Sequence, residues 1–275
     1  MPVKKLIYCF LILSLWRIGT SNAQTFELGA FAGGAGYIGD LNQDKPLKLS
    51  GLAAGGYVKL NFDPYWALGL HYGYGKIKAD DLKSSNQQFR DRGLNFNTAL
   101  NEVSLQLDFN FLEYFAGGGR KAFTPYVFTG IGGVFFSPKA KYPNDPVLGN
   151  EEYRLRFYQT EGQAELYRNY ALSVPYGLGM KFRMKENWGL FTQIGYRTAY
   201  TDYLDDVSRN YPDPGSANWP SDSNLPIRMR LADPSAIPGY GASGTQRGDF
   251  RKRDTYMFVG IGISYTFVSQ KCYTF

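Results

Sequence analysis

Apolar and polar residues alternate along 101–111, strictly so from Glu102 onward. Val103, Leu105, Leu107, Phe109 and Phe111 fall on one side of an extended chain, and Glu102, Ser104, Gln106, Asp108 and Asn110 on the other. The same period of two recurs near the C-terminus, where Met257, Val259, Ile261, Ile263, Tyr265 and Phe267 oppose Tyr256, Phe258, Gly260, Gly262, Ser264 and Thr266. Val174, Tyr176, Leu178, Met180 and Phe182 oppose Ser173, Gly177, Gly179, Lys181 and Arg183; Leu190, Ile194, Tyr196 and Tyr200 oppose Gly189, Gln193, Gly195 and Arg197. Two further strands put Leu52, Ala54, Val58, Leu60 and Phe62, and Leu68, Leu70, Tyr72 and Tyr74, on their apolar faces. Segments 25–38 and 123–136 are extended too, but glycine-rich and less regular. The pattern predicts eight strands.

The connections alternate in length. Asp63-Pro64-Tyr65, 116–121 and Lys185-Glu186-Asn187 are short, whereas 39–50, 80–97, 137–170 and 201–252 are long. Short turns at one end and long loops at the other predict an all-β, eight-stranded antiparallel up-and-down transmembrane barrel with long extracellular loops. Apolar rows then face hydrocarbon, and polar rows face the lumen. A soluble lipocalin-like barrel would need the opposite arrangement, with apolar residues inward around a ligand. Charges recur opposite the apolar row in several strands, which favours the membrane. Trp66 and Trp188 each follow a short turn, where indole rings form an aromatic girdle at the headgroup level.

The N-terminus reads as a leader. Lys4 and Lys5 precede the apolar run 6–16, Arg17 ends it, and Ser21-Asn22-Ala23 supplies small residues for cleavage before Gln24. Eleven apolar residues are too few for a spanning helix. The expected organisation is a signal peptide over 1–23 and a barrel over 24–275. Losing Lys4, Lys5 and Arg17 lowers the formal charge from +6 to +3, with 27 basic against 24 acidic residues, so the basic balance points to no nucleic acid. Only Cys272 then remains, which excludes an intramolecular disulfide; a closed hydrogen-bonded ladder stabilises such a chain instead. Tyr (22), Phe (20) and Gly (32) are abundant while mean hydropathy is only −0.33, which excludes a helical membrane protein.

An eight-stranded barrel has room inside for side chains and little else. The lumen candidates are Glu27, Lys59, His71, Glu102, Asp108, Lys181, Arg183 and Arg197. Buried charges need partners, so these form an ion-pair network. Strand heights pair Glu27 with Lys59, Asp108 with Lys181 and Arg183, and Glu102 with Arg197. A proton or ion path is the functional alternative to a structural plug. His71, the sole histidine, is a poor basis for a metal site or a Ser–His pair and reads as a lumen filler. Asp202, Asp205 and Asp206 cluster after the seventh strand; they offer oxygen ligands for calcium or paired acids, but Asp-Tyr-Leu-Asp-Asp matches no EF-hand loop, and a solvated loop start is the plainer reading. Arg247-Gly248-Asp249 is a chance-level match to an integrin-binding tripeptide. Arg251, Lys252 and Arg253 stand where they can meet lipid phosphates or form a solvated rim. No glycine-rich phosphate loop joins a strand to a helix.

The order of short motifs resembles a known family. Tyr37-Ile38-Gly39-Asp40-Leu41 comes first, then Thr124-Pro125-Tyr126-Val127-Phe128, Gly130-Ile131-Gly132-Gly133 and Ser137-Pro138-Lys139-Ala140-Lys141-Tyr142. Thr201-Asp202-Tyr203-Leu204-Asp205-Asp206-Val207-Ser208, Arg247-Gly248 and Ile261-Gly262-Ile263-Ser264-Tyr265-Thr266-Phe267 follow. Together they resemble the PorG-like outer-membrane β-barrel family of Bacteroidota, a domain of unknown function. Eight strands and seven connections, with the long loops outside, put both termini in the periplasm. The resemblance implies a non-enzymatic component of the type IX protein secretion system that links the periplasmic ring of PorK- and PorN-like proteins to the outer membrane. It implies no catalytic residue, cofactor, metal or small-molecule substrate, and membrane lipid as the other partner; Asp202, Tyr203, Asp205 and Asp206 belong to its motif at the start of an extracellular loop. On this reading the turn 116–121 and the tail 268–275 face the ring. A generic surface barrel of the OmpA type, serving adhesion or envelope integrity, is one alternative. A barrel enzyme at the outer rim, using Asp202, Asp205, Asp206 or His71, is another.

Overall fold

The computed structural model describes residues 25–114, 121–215, 218–249 and 251–267. The leader, Cys272, the tail 268–275 and nearly all of the turn 116–121 lie outside the described residues. Among the described residues nine strands form: β1 (Thr25–Ile38), β2 (Leu49–Asn61), β3 (Trp66–Asp80), β4 (Asn95–Asn110), β5 (Phe123–Lys141), β6 (Glu152–Arg154), β7 (Tyr170–Lys185), β8 (Trp188–Ala199) and β9 (Thr255–Phe267). Each neighbour pair is antiparallel, β4 pairs with β5, and β1 pairs with β9 from Phe26↔Phe267 to Ile38↔Thr255. The sheet therefore closes on itself as an eight-stranded barrel. The short β6 is an extra strand, added to the long-loop end of β5.

Alternation decides which side each residue takes. Leu105 is 45 % exposed, Leu107 37 % and Ile261 56 %, while Glu102, Ser104, Gln106 and Asp108, on the inner face of β4, are buried. Soluble proteins do not present such a continuous apolar wall; hydrocarbon is the medium that makes it favourable. Trp66 and Trp188 stand exposed on the wall at the short-turn end, against Phe109 and Tyr265 respectively. The short turns have local causes. Asp63 Oδ1 accepts from the Tyr65 and Trp66 N–H groups at 2.7 and 2.8 Å around Pro64, and Glu186 adopts φ 49° in the β7–β8 turn.

Inward glycines make room for aromatic rings. A Cβ at Gly29 would lie 2.2 Å from the Tyr57 ring, and one at Gly75 would lie 2.4 Å from Phe258. This is why glycine-rich strands form here despite their weak intrinsic preference.

Two strand-level expectations change. β5 continues five residues past Phe136, to Lys141, because β4 and β6 both extend to pair with it (Asn97↔Lys139, Lys139↔Arg154). Met257, expected to face lipid, is buried at 1 % exposure. The β1–β2 connection folds against the wall there: Tyr196 donates to the Pro46 carbonyl at 3.3 Å, and Lys48 O and the Met257 methyl crowd the same point beside Gly36.

Candidate functional site

The lumen holds two buried polar centres, one at Asp108 and one at Glu102. At the first, Asp108 on β4 accepts from Lys59 Nζ at 2.5 Å and from Lys181 Nζ at 3.0 Å. Lys181 also donates to Asn110 Oδ1 at 3.0 Å. Both ammonium groups lie over aromatic faces, Lys59 4.1 Å from the Tyr57 centroid and Lys181 4.4 Å from Tyr126, which spreads the burial of charge over π-clouds as well as a carboxylate. At the second, Glu102 has Arg197 Nε at 3.5 Å and accepts from Ser104 Oγ at 3.0 Å, Ser173 Oγ at 3.2 Å and the Tyr256 hydroxyl.

The expected Glu27–Lys59 pair does not form, although the two residues face each other in the ladder. Glu27 instead accepts from Tyr57 Oη at 2.6 Å and Asn61 Nδ2 at 3.4 Å. A lysine stem spans half so narrow a barrel, so Lys59 reaches across to Asp108 while hydroxyl and amide donors serve Glu27. Arg183 lies at the short-turn end of β7, its N–H donating to Ala122 O at 2.7 Å. His71 stacks near Tyr57 at 5.0 Å, and its Nε2 has no hydrogen-bond partner.

The long connections fold over the barrel mouth as a cap. The cap contains α1 (Gln87–Arg92) and α2 (Leu225–Ala232). Two buried guanidiniums fasten it. Arg92 binds Asp81 at 2.7 and 3.0 Å and donates to the carbonyls of Arg247 (2.7 Å) and Asp40 (3.1 Å). Arg247 meets Glu161 at 3.2 Å and donates to the carbonyls of Asp206 (2.9 Å) and Ala232 (3.1 Å). These two side chains tie all four long connections together. Sequence reasoning missed both roles, since nothing along the chain marks which arginine will be buried. Arg247 is 2 % exposed, so the Arg-Gly-Asp tripeptide is not displayed for a receptor.

Asp205 and Asp206 do not form a solvated loop start; each is 1 % exposed. They point apart. Asp205 accepts from the Tyr37 hydroxyl, and Asp206 accepts from Thr160 Oγ1 at 2.5 Å and Tyr167 Oη at 2.6 Å. Tyr203 stacks on Tyr167 with centroids 4.4 Å apart. Asp202 joins Asp40 and Asp254 instead, one oxygen from each lying within 4.8 Å of the others, which is the donor set a hard divalent cation takes. Burial comes first in raising these carboxyls. It pushes Asp206 up to about 7 against the pull of Arg247, and Asp40 up to about 7 with help from the charges of Asp249 and Asp202. Asp202 rises to about 6, and Asp205 and Asp254 rise well above the carboxylate range.

A pH dependence follows. The folded cap holds protons that unfolded carboxyls, with an ordinary value of 3.8, have lost between there and about 7. The stabilisation these carboxyls add to the cap is therefore fully present below the ordinary carboxylate value and is lost as pH rises through about 7. Limited proteolysis of the bilayer-inserted protein should cut the 200–254 connection faster at pH 8 than at pH 5, with the strands protected throughout; equal rates would refute it.

Residues 4–215 match a family model described as a domain of unknown function (DUF6089). The chain belongs to this family. The comparison with curated proteins gives no match. Among solved structures, this DUF6089 chain is similar to the N-terminal β-barrel domain of Pseudomonas aeruginosa OprF (14 % identity, 88 % of this chain and 97 % of that one, TM-score 0.35). It is also similar to Neisserial surface protein A (9 %, 88 % and 97 %, 0.42) and to a major outer membrane protein of Thermus thermophilus (16 %, 89 % and 100 %, 0.41). The barrel assignment rests on the closed ladder rather than on these resemblances.

Proposed function

We propose that this DUF6089 barrel is a non-enzymatic, PorG-like outer-membrane component of a type IX protein secretion system, anchoring a periplasmic ring of PorK- and PorN-like proteins to the membrane. The observation that carries the scaffold reading is the plugged lumen: ion pairs and aromatic rings occupy the interior, which leaves the barrel a rigid, sealed post rather than a conduit. The order of motifs from Tyr37-Ile38-Gly39-Asp40-Leu41 to the final strand supplies the secretion assignment. Thr25 and Phe267 lie at the short-turn end, so both termini are periplasmic if the long loops are external. Affinity purification of the tagged protein from its own membranes tests this. Recovery of PorK- and PorN-like proteins is the expected result. Recovery of the barrel alone from membranes that contain an assembled ring would refute the ring anchor and leave a generic surface barrel.

A further inference from the structure

The outer wall changes character abruptly at the long-loop end. Across four neighbouring strands one register row reads Lys78 (β3), Asn97 (β4), Lys139 (β5) and Arg154 (β6), each paired with the next in the ladder. Lys76 sits one outward position below, and Lys141 one above. Lys76, Lys78, Lys141 and Arg154 are exposed. Among the described residues Lys139 alone in this group makes an ion pair, with Glu152 at 2.7 Å. Directly beneath lies a row of Tyr74, Asn101, Phe135 and Tyr170, again connected rung by rung, with the Phe135 and Tyr170 rings 6.3 Å apart. Below that the wall is apolar, with Leu105 and Ile131 exposed.

The opposite rim has no such bias. Among its described residues Asp63, Glu113 and Glu186 offset Lys121, Arg183 and Lys185. A surplus of cations above an aromatic girdle on one rim only places fixed positive charge at the headgroup level of one leaflet.

We infer that the outward cluster of Lys76, Lys78, Lys139 and Arg154 is a docking surface for a glycolipid of the outer leaflet that carries two phosphates on a sugar headgroup. The inference rests on the membrane-barrel orientation above and is independent of the secretion role. Lys78 and Arg154, neither of them ion-paired among the described residues, are three strands apart, about 14 Å by the usual strand spacing, so phosphates at two points of one headgroup meet both without drawing the side chains together. A single-phosphate glycerolipid offers this row one anionic point. A bis-phosphorylated sugar reaches two, with the Asn97 amide between them for sugar hydroxyls and its acyl chains on the apolar wall beneath.

The test uses the full mature chain refolded into phosphatidylcholine nanodiscs doped with one of three lipids: a bis-phosphorylated glucosamine-disaccharide lipid, its dephosphorylated form, or phosphatidylglycerol. Lipid retained on detergent extraction is read by native mass spectrometry. Preferential retention of the bis-phosphorylated lipid is expected. The triple variant K76Q/K78Q/R154Q should lower it on the order of 100-fold, from roughly five-fold per basic residue at a membrane surface. The single variant Lys78→Gln should give an intermediate loss, and K121Q/K185Q at the other rim should give none. Equal retention of phosphatidylglycerol, or retention unchanged in the triple variant, would overturn the inference. A heat-modifiable gel band establishes insertion for every sample. Failure of the unmodified chain to insert would overturn the membrane orientation, and this inference with it, a result separate from an inserted barrel that shows no preference.

Discussion

Asp108→Ala should destabilise the barrel by about 3–5 kcal/mol, because it strands two buried ammonium groups, Lys59 and Lys181, without a counter-charge. Their remaining support would be Asn110 and two aromatic faces. Urea unfolding in lipid vesicles, followed by tryptophan fluorescence and by heat-modifiable mobility, measures the loss. Replacing the whole centre is the discriminating companion. The triple variant Asp108→Leu, Lys59→Met, Lys181→Met removes charge and partner together and should fall within about 1 kcal/mol of the unmodified barrel or above it. If the single variant is as stable as the parent, water reaches the centre and the plugged-lumen account fails. If the triple variant is as weak as the single one, the centre does more than neutralise its own charges.

The second large effect lies in the cap. Arg247→Ala takes the counter-charge from the Glu161 carboxylate, which keeps only the Ser208 and Arg209 N–H groups, and removes the guanidinium donor to the Asp206 and Ala232 carbonyls. Losing one partner of a buried ion pair costs about 3–5 kcal/mol, and here the cost falls on the cap rather than the ladder. Protease cleavage within 142–169 and 200–254 should accelerate on the order of 100-fold or more, in line with opening that tracks local stability, while strand protection and heat-modifiable mobility stay unchanged. Arg247→Lys should rescue poorly, since one ammonium cannot reproduce a guanidinium fork that serves three acceptors. Cleavage no faster than in the parent would show that the connections hold without this fastening.

Period-two patterning carried most of the barrel. Strand positions, inward and outward faces, and the alternation of short and long connections all follow from residues such as Leu105, Leu107 and Ile261 needing hydrocarbon and Glu102 and Asp108 needing a wet or paired interior. Those are local rules, and a local rule survives in one dimension. The same rules failed at Met257, where a loop distant in sequence covers a lipid-facing position, and at the far end of β5, where partner strands extended the pairing.

What only the tertiary structure decided was who pairs with whom. Register put Glu27 opposite Lys59, but lysine length and barrel width sent Lys59 across the lumen to Asp108. Asp205 and Asp206 are neighbours along the chain, yet Asp205 turns to Tyr37 of β1 beside the Asp40, Asp202 and Asp254 carboxyls, while Asp206 turns to Thr160 and Tyr167 of another long connection. Arg92 and Arg247 read as ordinary surface arginines until four loops close around them. Side-chain reach and long-range loop packing depend on the closed three-dimensional wall, and no sequence period encodes them.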